Sequence, residues 1–99
     1  MDFQVNISQA ALNDLEEIVA YISNDAPRAA QRLAIDLLRR AESLSAMPRR
    51  GKVLQARPGV RRLVRNPYLI IYRIDEAAQT VHILRFWHHA RDLRSLRLE

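Results

Sequence analysis

Tyr68-Leu69-Ile70-Ile71-Tyr72-Arg73-Ile74 is the stretch on which the fold turns. It is dense in β-branched and aromatic residues, which fit a pleated, packed surface, and it reads as a strand. Successive side chains of a strand point to opposite faces, so Tyr68, Ile70, Tyr72 and Ile74 share one face and Leu69, Ile71 and Arg73 the other. Both faces are largely apolar. A strand covered on both sides lies in the middle of a sheet, and its tyrosines are then core residues with satisfied hydroxyls rather than catalytic groups.

The neighbouring segments extend this strand into a sheet. Val60 to Arg65 reads as a strand and Asn66-Pro67 as the turn after it. Asp75-Glu76-Ala77-Ala78 is the next turn, and Thr80 to Trp87 completes a three-strand meander. Pro48, Gly51, Pro58 and Gly59 mark the segment upstream of Val60 as a loop. Before it lie two amphipathic helices. Leu12, Leu15, Ile18, Val19 and Ile22 make one apolar stripe after the candidate N-cap Ser8, on a helix running to about Ser23. Ala30, Leu33, Ala34, Leu37, Leu38, Ala41 and Leu44 make a second stripe, with Asn24-Asp25-Ala26-Pro27 supplying its cap and the helix ending near Met47-Pro48. Phe3, Val5 and Ile7 alternate with polar residues and form a first strand over residues 3–7. Ala90 to Leu98 is expected to form a short basic helix. The predicted fold is α+β, in the order β-α-α-β-β-β, with an antiparallel sheet carrying the helical hairpin on one face.

Ninety-nine residues suit a single domain over 1–99, and 48% hydrophobic with 27% charged residues excludes a disordered tail or a fibrous repeat. No window approaches a membrane span, and Met1-Asp2-Phe3-Gln4 lacks a secretory start, so a cytoplasmic location is expected. The chain has no cysteine, hence no disulfide framework and no thiolate metal site. With two glycines and no paired-carboxylate or serine–histidine–aspartate pattern, a nucleotide cradle or hydrolase triad is not indicated, and no cofactor is expected. His88-His89 is not read as a metal site, because adjacent strand residues face opposite ways; one ring is expected against Trp87 or Phe86 and the other in water.

Charge is segregated. Residues 1–48 carry seven acids against four arginines, whereas residues 49–99 carry twelve basic residues against four acids, with no acid between Ser43 and Ile74. Fifteen of the sixteen basic residues are arginine, whose planar fork suits carboxylate or phosphate, and an anionic partner follows.

Several patterns occur in one order along the chain: Ala-x-x-Asp-Leu-x-x-Ile (Ala11 to Ile18), Pro-Arg-x-Gly (Pro48 to Gly51), Arg-x-Leu-Val (Arg61 to Val64), the strand Tyr68 to Ile74, and His-x-x-Arg-Asp (His88 to Asp92). In that order they resemble the RelE/ParE toxin superfamily, and its ParE-like branch. The resemblance implies the toxin half of a type II toxin–antitoxin pair, of the kind that arrests growth and stabilises plasmids. Its partner would be a small antitoxin whose acidic segment folds along the toxin in a hetero-oligomer. Within the superfamily one branch cleaves messenger RNA on the ribosome and the other poisons DNA gyrase.

RNA-cleaving members place a cation directly after the tyrosine that opens the central strand, where this chain has Leu69, and a tyrosine or histidine near the C-terminus; no tyrosine follows Tyr72 here, which leaves His88, His89 and Arg91 to replace parts of it. Arg62 does occupy the place of a catalytic basic residue. The expected activity is therefore gyrase inhibition, and the alternative is ribosome-dependent cleavage by a set drawn from Arg62, Arg85, His88, His89 and Arg91. A basic nucleic-acid-binding module ranks below both, for want of a helix-turn-helix or an aromatic RNA platform. The antitoxin- or target-binding surface is expected to comprise Arg61, Arg62, Arg65, Arg73, Arg85, Trp87 and Arg91, with an antitoxin segment covering the sheet face opposite the helices.

Overall fold

A computed structural model describes residues 2–98. In chain order it contains β1 (Gln4–Ile7), α1 (Gln9–Ser23), α2 (Pro27–Ser43), a 3-10 turn at Pro48–Arg50, β2 (Lys52–Leu54), β3 (Arg57–Arg65), β4 (Tyr68–Asp75), β5 (Thr80–His88) and a 3-10 turn at Leu93–Ser95. The strands form one sheet in the order β1-β5-β4-β3-β2. β4 is its middle strand, as the two apolar faces of residues 68–74 require. Among the described residues no helix is long and apolar enough to cross a membrane.

Ser8 caps α1 as expected: its hydroxyl accepts from the Ala11 N–H at 3.1 Å and donates to the Leu84 carbonyl at 3.0 Å, which ties the helix start to β5. At α2 Pro27 opens the helix in its first turn as expected, but the expected side-chain cap does not form. Ala26 stands at the cap without a side-chain bond, because the N–H groups of Asp25 and Ala26 close the end of α1 on the Ile22 carbonyl. α2 also stops at Ser43, short of Met47-Pro48. Just beyond it Ser45 donates its hydroxyl to the Phe3 carbonyl and accepts the Phe3 N–H, bonds that a continuing helix would forbid.

The sheet departs from a purely antiparallel one at β1, which pairs parallel with β5, Val5 opposite Val81. A parallel partner needs a long crossover, and everything from α1 to β4 supplies it. The expected loop over residues 48–59 holds a further strand. β2 pairs with β3, and the register jumps from Val53↔Arg61 to Leu54↔Arg57, so Pro58 and Gly59 fall in a bulge where neither has to donate to the ladder.

The helical hairpin covers one face, packing Leu15, Leu37, Ala41 and Leu44 on Leu63, Tyr68, Ile70, Tyr72, Val81, Ile83 and Phe86. A smaller cluster lies on the other face: Leu54, Leu69, Ile71, Trp87 and Leu96. Its cover is the chain's own C-terminal tail. No helix forms over 90–98; Asp92 caps one 3-10 turn through the Arg94 N–H, and the tail then runs extended. This brings Leu96 and Leu98 onto the same cluster at a spacing of two, which a helix would place on different sides.

Candidate functional site

Register sorts the expected binding residues by face. Arg61 lies opposite Tyr72 and Arg65 opposite Tyr68, on the helix side; Arg62 lies opposite Ile71, on the tail side. The helix-side pair is engaged within the chain. Arg65 is ion-paired with Asp36 of α2, whose carboxyl it holds below the usual carboxylate range. Arg61 donates to the Gly51 carbonyl at 2.8 Å. Gly51 itself sits where a Cβ would come 2.5 Å from the Arg62 carbonyl oxygen and 2.6 Å from the Tyr72 hydroxyl, so only glycine fits. That hydroxyl accepts from the Gly51 N–H at 2.8 Å and donates to the Pro48 carbonyl at 2.7 Å, with burial pushing its pKa above the ordinary tyrosine value. Tyr72 is a satisfied core residue, as its place on the central strand implies.

Arg85 is drawn to the edge of the sheet. Tyr72 pairs with Ile83 and Ile71 with Arg85, which leaves one extra residue, Leu84, in β5 at this point. The guanidinium meets Asp14 of α1 through two bonds of 2.6 and 2.7 Å and donates a third, at 3.0 Å, to the Arg97 carbonyl of the tail. Asp14, buried, also accepts the Phe86 N–H at 3.0 Å, where β5 runs on past the end of β1. Its carboxylate raises the Arg85 pKa. Trp87 is 1% exposed, donates to the Arg91 carbonyl and lies between two cations, with the Arg91 guanidinium 3.9 Å from its ring centroid and that of Arg85 at 5.2 Å. It works as the centre of the smaller core, and in this conformation it presents no face to a partner.

The histidines depart from expectation. β5 ends at His88, so the alternation that would separate the two rings stops there; they stack at 5.0 Å, and His88 meets Tyr68 edge-on at 5.2 Å. His88 Nδ1 accepts the Ala90 N–H, which places the proton of the neutral ring on Nε2. Tyr68, His88 and Arg91 line a cleft of about 340 Å³ beside Glu17 and Tyr21 of α1, on the helix side of the sheet. Arg62 lies elsewhere, so the residues expected to act together in cleavage are divided between two places.

Arg62 lines a larger groove, about 640 Å³, between the β2–β3 hairpin and the C-terminal tail. Lys52, Arg57 and Arg94 line it too, and none of them was expected at a site. Lys52 and Arg57 fall in the segment that proline and glycine mark as a loop. The apolar pair Val53-Leu54 between them was the one available sign of a short strand. Arg73 is exposed on the same side, two residues along the strand from Ile71.

The comparisons with known proteins agree with this architecture. A family model described as the ParE toxin of the type II toxin–antitoxin system parDE matches residues 5–93. The chain is 42% identical over 89 residues to a protein named Toxin RelE2 of Caulobacter vibrioides, covering 89% of this chain and 97% of that one. It is 32% identical over 92 residues to Toxin RelE1 of the same organism, covering 89% and 95%. Among solved structures it is similar to the chromosomal ParDE system from P. aeruginosa, with a TM-score of 0.76 at 21% identity over 87% of this chain and 95% of that one, a likeness of fold alone. It is also similar to the RelBE2 toxin–antitoxin complex from Mycobacterium tuberculosis, with a TM-score of 0.72 at 28% identity over 89% and 99%.

Proposed function

The chain belongs to the ParE toxin family of type II toxin–antitoxin systems, and from that premise we propose that it acts on DNA gyrase in the cytoplasm and is neutralised by an acidic antitoxin segment. The observation that carries the choice of target is the Arg85 guanidinium. Phosphoryl cleavage needs a cation free to meet charge developing on the phosphate. Arg85 is instead closed off by the Asp14 carboxylate and the Arg97 carbonyl. Leu69, where RNA-cleaving relatives carry a cation, is buried in the smaller core. Arg62 and Arg73 have no carboxylate partner among the described residues and are the contacts proposed for antitoxin or target, with Arg91 at the end of the sheet.

The second reading, ribosome-dependent cleavage of messenger RNA, is favoured by the names of the two Caulobacter relatives. One experiment separates them. Purified toxin should inhibit gyrase supercoiling or trap cleaved plasmid, and its expression without antitoxin should filament cells while bulk messenger RNA stays intact. Cuts in the A-site codon of translating ribosomes, abolished by Arg62→Ala or His89→Ala in a folded variant, would replace gyrase by the ribosome.

A further inference from the structure

The hairpin of α1 and α2 turns one face to the sheet and the other to solvent, and the outer face is not polar throughout. Leu12 and Val19 belong to the apolar stripe of α1, yet neither joins a core cluster. With Ala20 of the same helix and Ala34 of α2 they line a groove of about 410 Å³ between the two helices. Leu12 is 38% exposed, and Ile35, the next residue after Ala34, is 49% exposed. Apolar side chains gathered at one place on an outer surface and rimmed by polar ones mark a docking surface.

Charge identifies what docks. α1 carries three acids, Asp14, Glu16 and Glu17, and no basic residue, whereas α2 carries four arginines against Asp36 and Glu42. Glu16 lines the groove, Arg32 and Arg39 are exposed on α2, and none of the three has an ion-pair partner among the described residues. An acidic segment or a nucleic acid would be repelled along the α1 wall, and a basic segment along α2. A second copy of the chain presents both signs. A twofold axis running along the groove lays α1 of each copy over α2 of the other, so that apolar meets apolar and acid meets base twice over. The helices are antiparallel, joined over residues 24–26, and Glu16 shares the groove with Ala34. Each Glu16 therefore comes level with Ile35 of the other copy, with Arg32 and Arg39 about one turn to either side. We propose that the outer face of the helical hairpin is the interface of a symmetric dimer, Glu16 of each copy set against Arg32 and Arg39 of the other. This interface lies opposite the tail-covered face, whose cations stay accessible in the dimer.

The test is sedimentation velocity of the purified full chain over about 1 to 100 μM, because two helices a side without a deep socket give a dissociation constant of micromolar order. The mean mass should rise towards twice that of the chain. Glu16→Arg alone, and Arg32→Glu with Arg39→Glu, should each weaken association about tenfold or more by setting like charges together. Net charge alone predicts the reverse for the second variant, which is less basic than the native chain. Mixed in equal amounts, the two variants should associate with each other to within about threefold of the native affinity, since opposite charges then meet at both contacts. Leu12→Gln with Ile35→Gln should leave a monomer, circular dichroism confirming the fold of every variant. The proposal is overturned if the native chain stays monomeric throughout, if its dimer persists unchanged in the charge variants, or if the mixed variants fail to associate. A monomeric toxin whose binding to its antitoxin is lost on Leu12→Gln with Ile35→Gln would assign the face to the antitoxin instead. The sedimentation assay contains neither gyrase nor ribosome, so its outcome is independent of the target assignment.

Discussion

The helix-covered and tail-covered faces of the sheet are built from the same strands, yet they bury very different amounts and leave different chemistry exposed. Under the helices, twelve buried residues form one cluster, and the arginines that reach this side, Arg61 and Arg65, are bonded within the chain. Under the tail, five buried residues form the second cluster, and Lys52, Arg57 and Arg62 stand along its rim without a carboxylate partner among the described residues. A helical stripe can seal a sheet face because its side chains recur every third or fourth residue. An extended tail contributes a side chain to that face only at every second residue, and here it provides Leu96 and Leu98. The better-sealed face supplies stability, and the face with the thinner cover leaves cations exposed at its rim.

Five measurements test that contrast. The largest effect is expected at Leu37, fully buried beneath the helices, where Leu37→Ala should cost about 4 kcal/mol in denaturant titration. A loss under roughly half a kcal/mol would mean the helix side is not the main core. Next is Asp14, which joins the two faces at the open edge of β5. Asp14→Ala strands a mostly buried Arg85 and the Phe86 N–H, and should cost about 3 kcal/mol. Asp14→Asn, which keeps an acceptor for that N–H, should lose less; equal losses in the two variants would locate the energy in the ion pair alone.

On the tail side, Leu96→Ala should cost about 2 kcal/mol or less, because an extended segment can collapse onto the gap more readily than a packed helix. Hydrogen exchange should show the tail amide of Leu96, bonded to the Leu93 carbonyl, opening before the amides of β4. Simultaneous opening would mean that the two clusters unfold as one.

The smallest effect concerns acid. Arg65 lowers the Asp36 pKa, so the stabilisation from this pair is complete at neutral pH, above the unfolded value, and is lost as pH falls through the lowered folded value. Asp36→Asn should therefore leave a shallower decline of stability in that acid range. An unchanged slope would show that the bond contributes nothing measurable.

The pattern of residues 68–74 was sufficient to identify the central strand and the role of Tyr72, because alternation on a pleated strand is a local property. The helical stripes and the Ser8 cap were legible for the same reason. Other features depend on contacts distant in sequence. Nothing in Pro58-Gly59 announces a strand, since a bulge that tolerates both exists only once β2 lies alongside. The basic composition of 90–98 suggested a helix, but exposed arginines are indifferent to conformation, and Leu96 and Leu98 settle the tail by finding a hydrophobic face.

Sequence by itself determined the α+β order, the central strand, the segregation of charge and the resemblance to a toxin family, all of which follow from residue type and short-range period. Tertiary structure alone decided which arginines remain without a partner. Arg61, Arg62, Arg65 and Arg85 are equivalent as letters. Which of them meets Asp14, Asp36 or a backbone carbonyl depends on strand register, one extra residue in β5 and the packing of α1 and α2. An ion pair forms through space between residues 71 positions apart, as Arg85 and Asp14 are, and no local pattern encodes that distance.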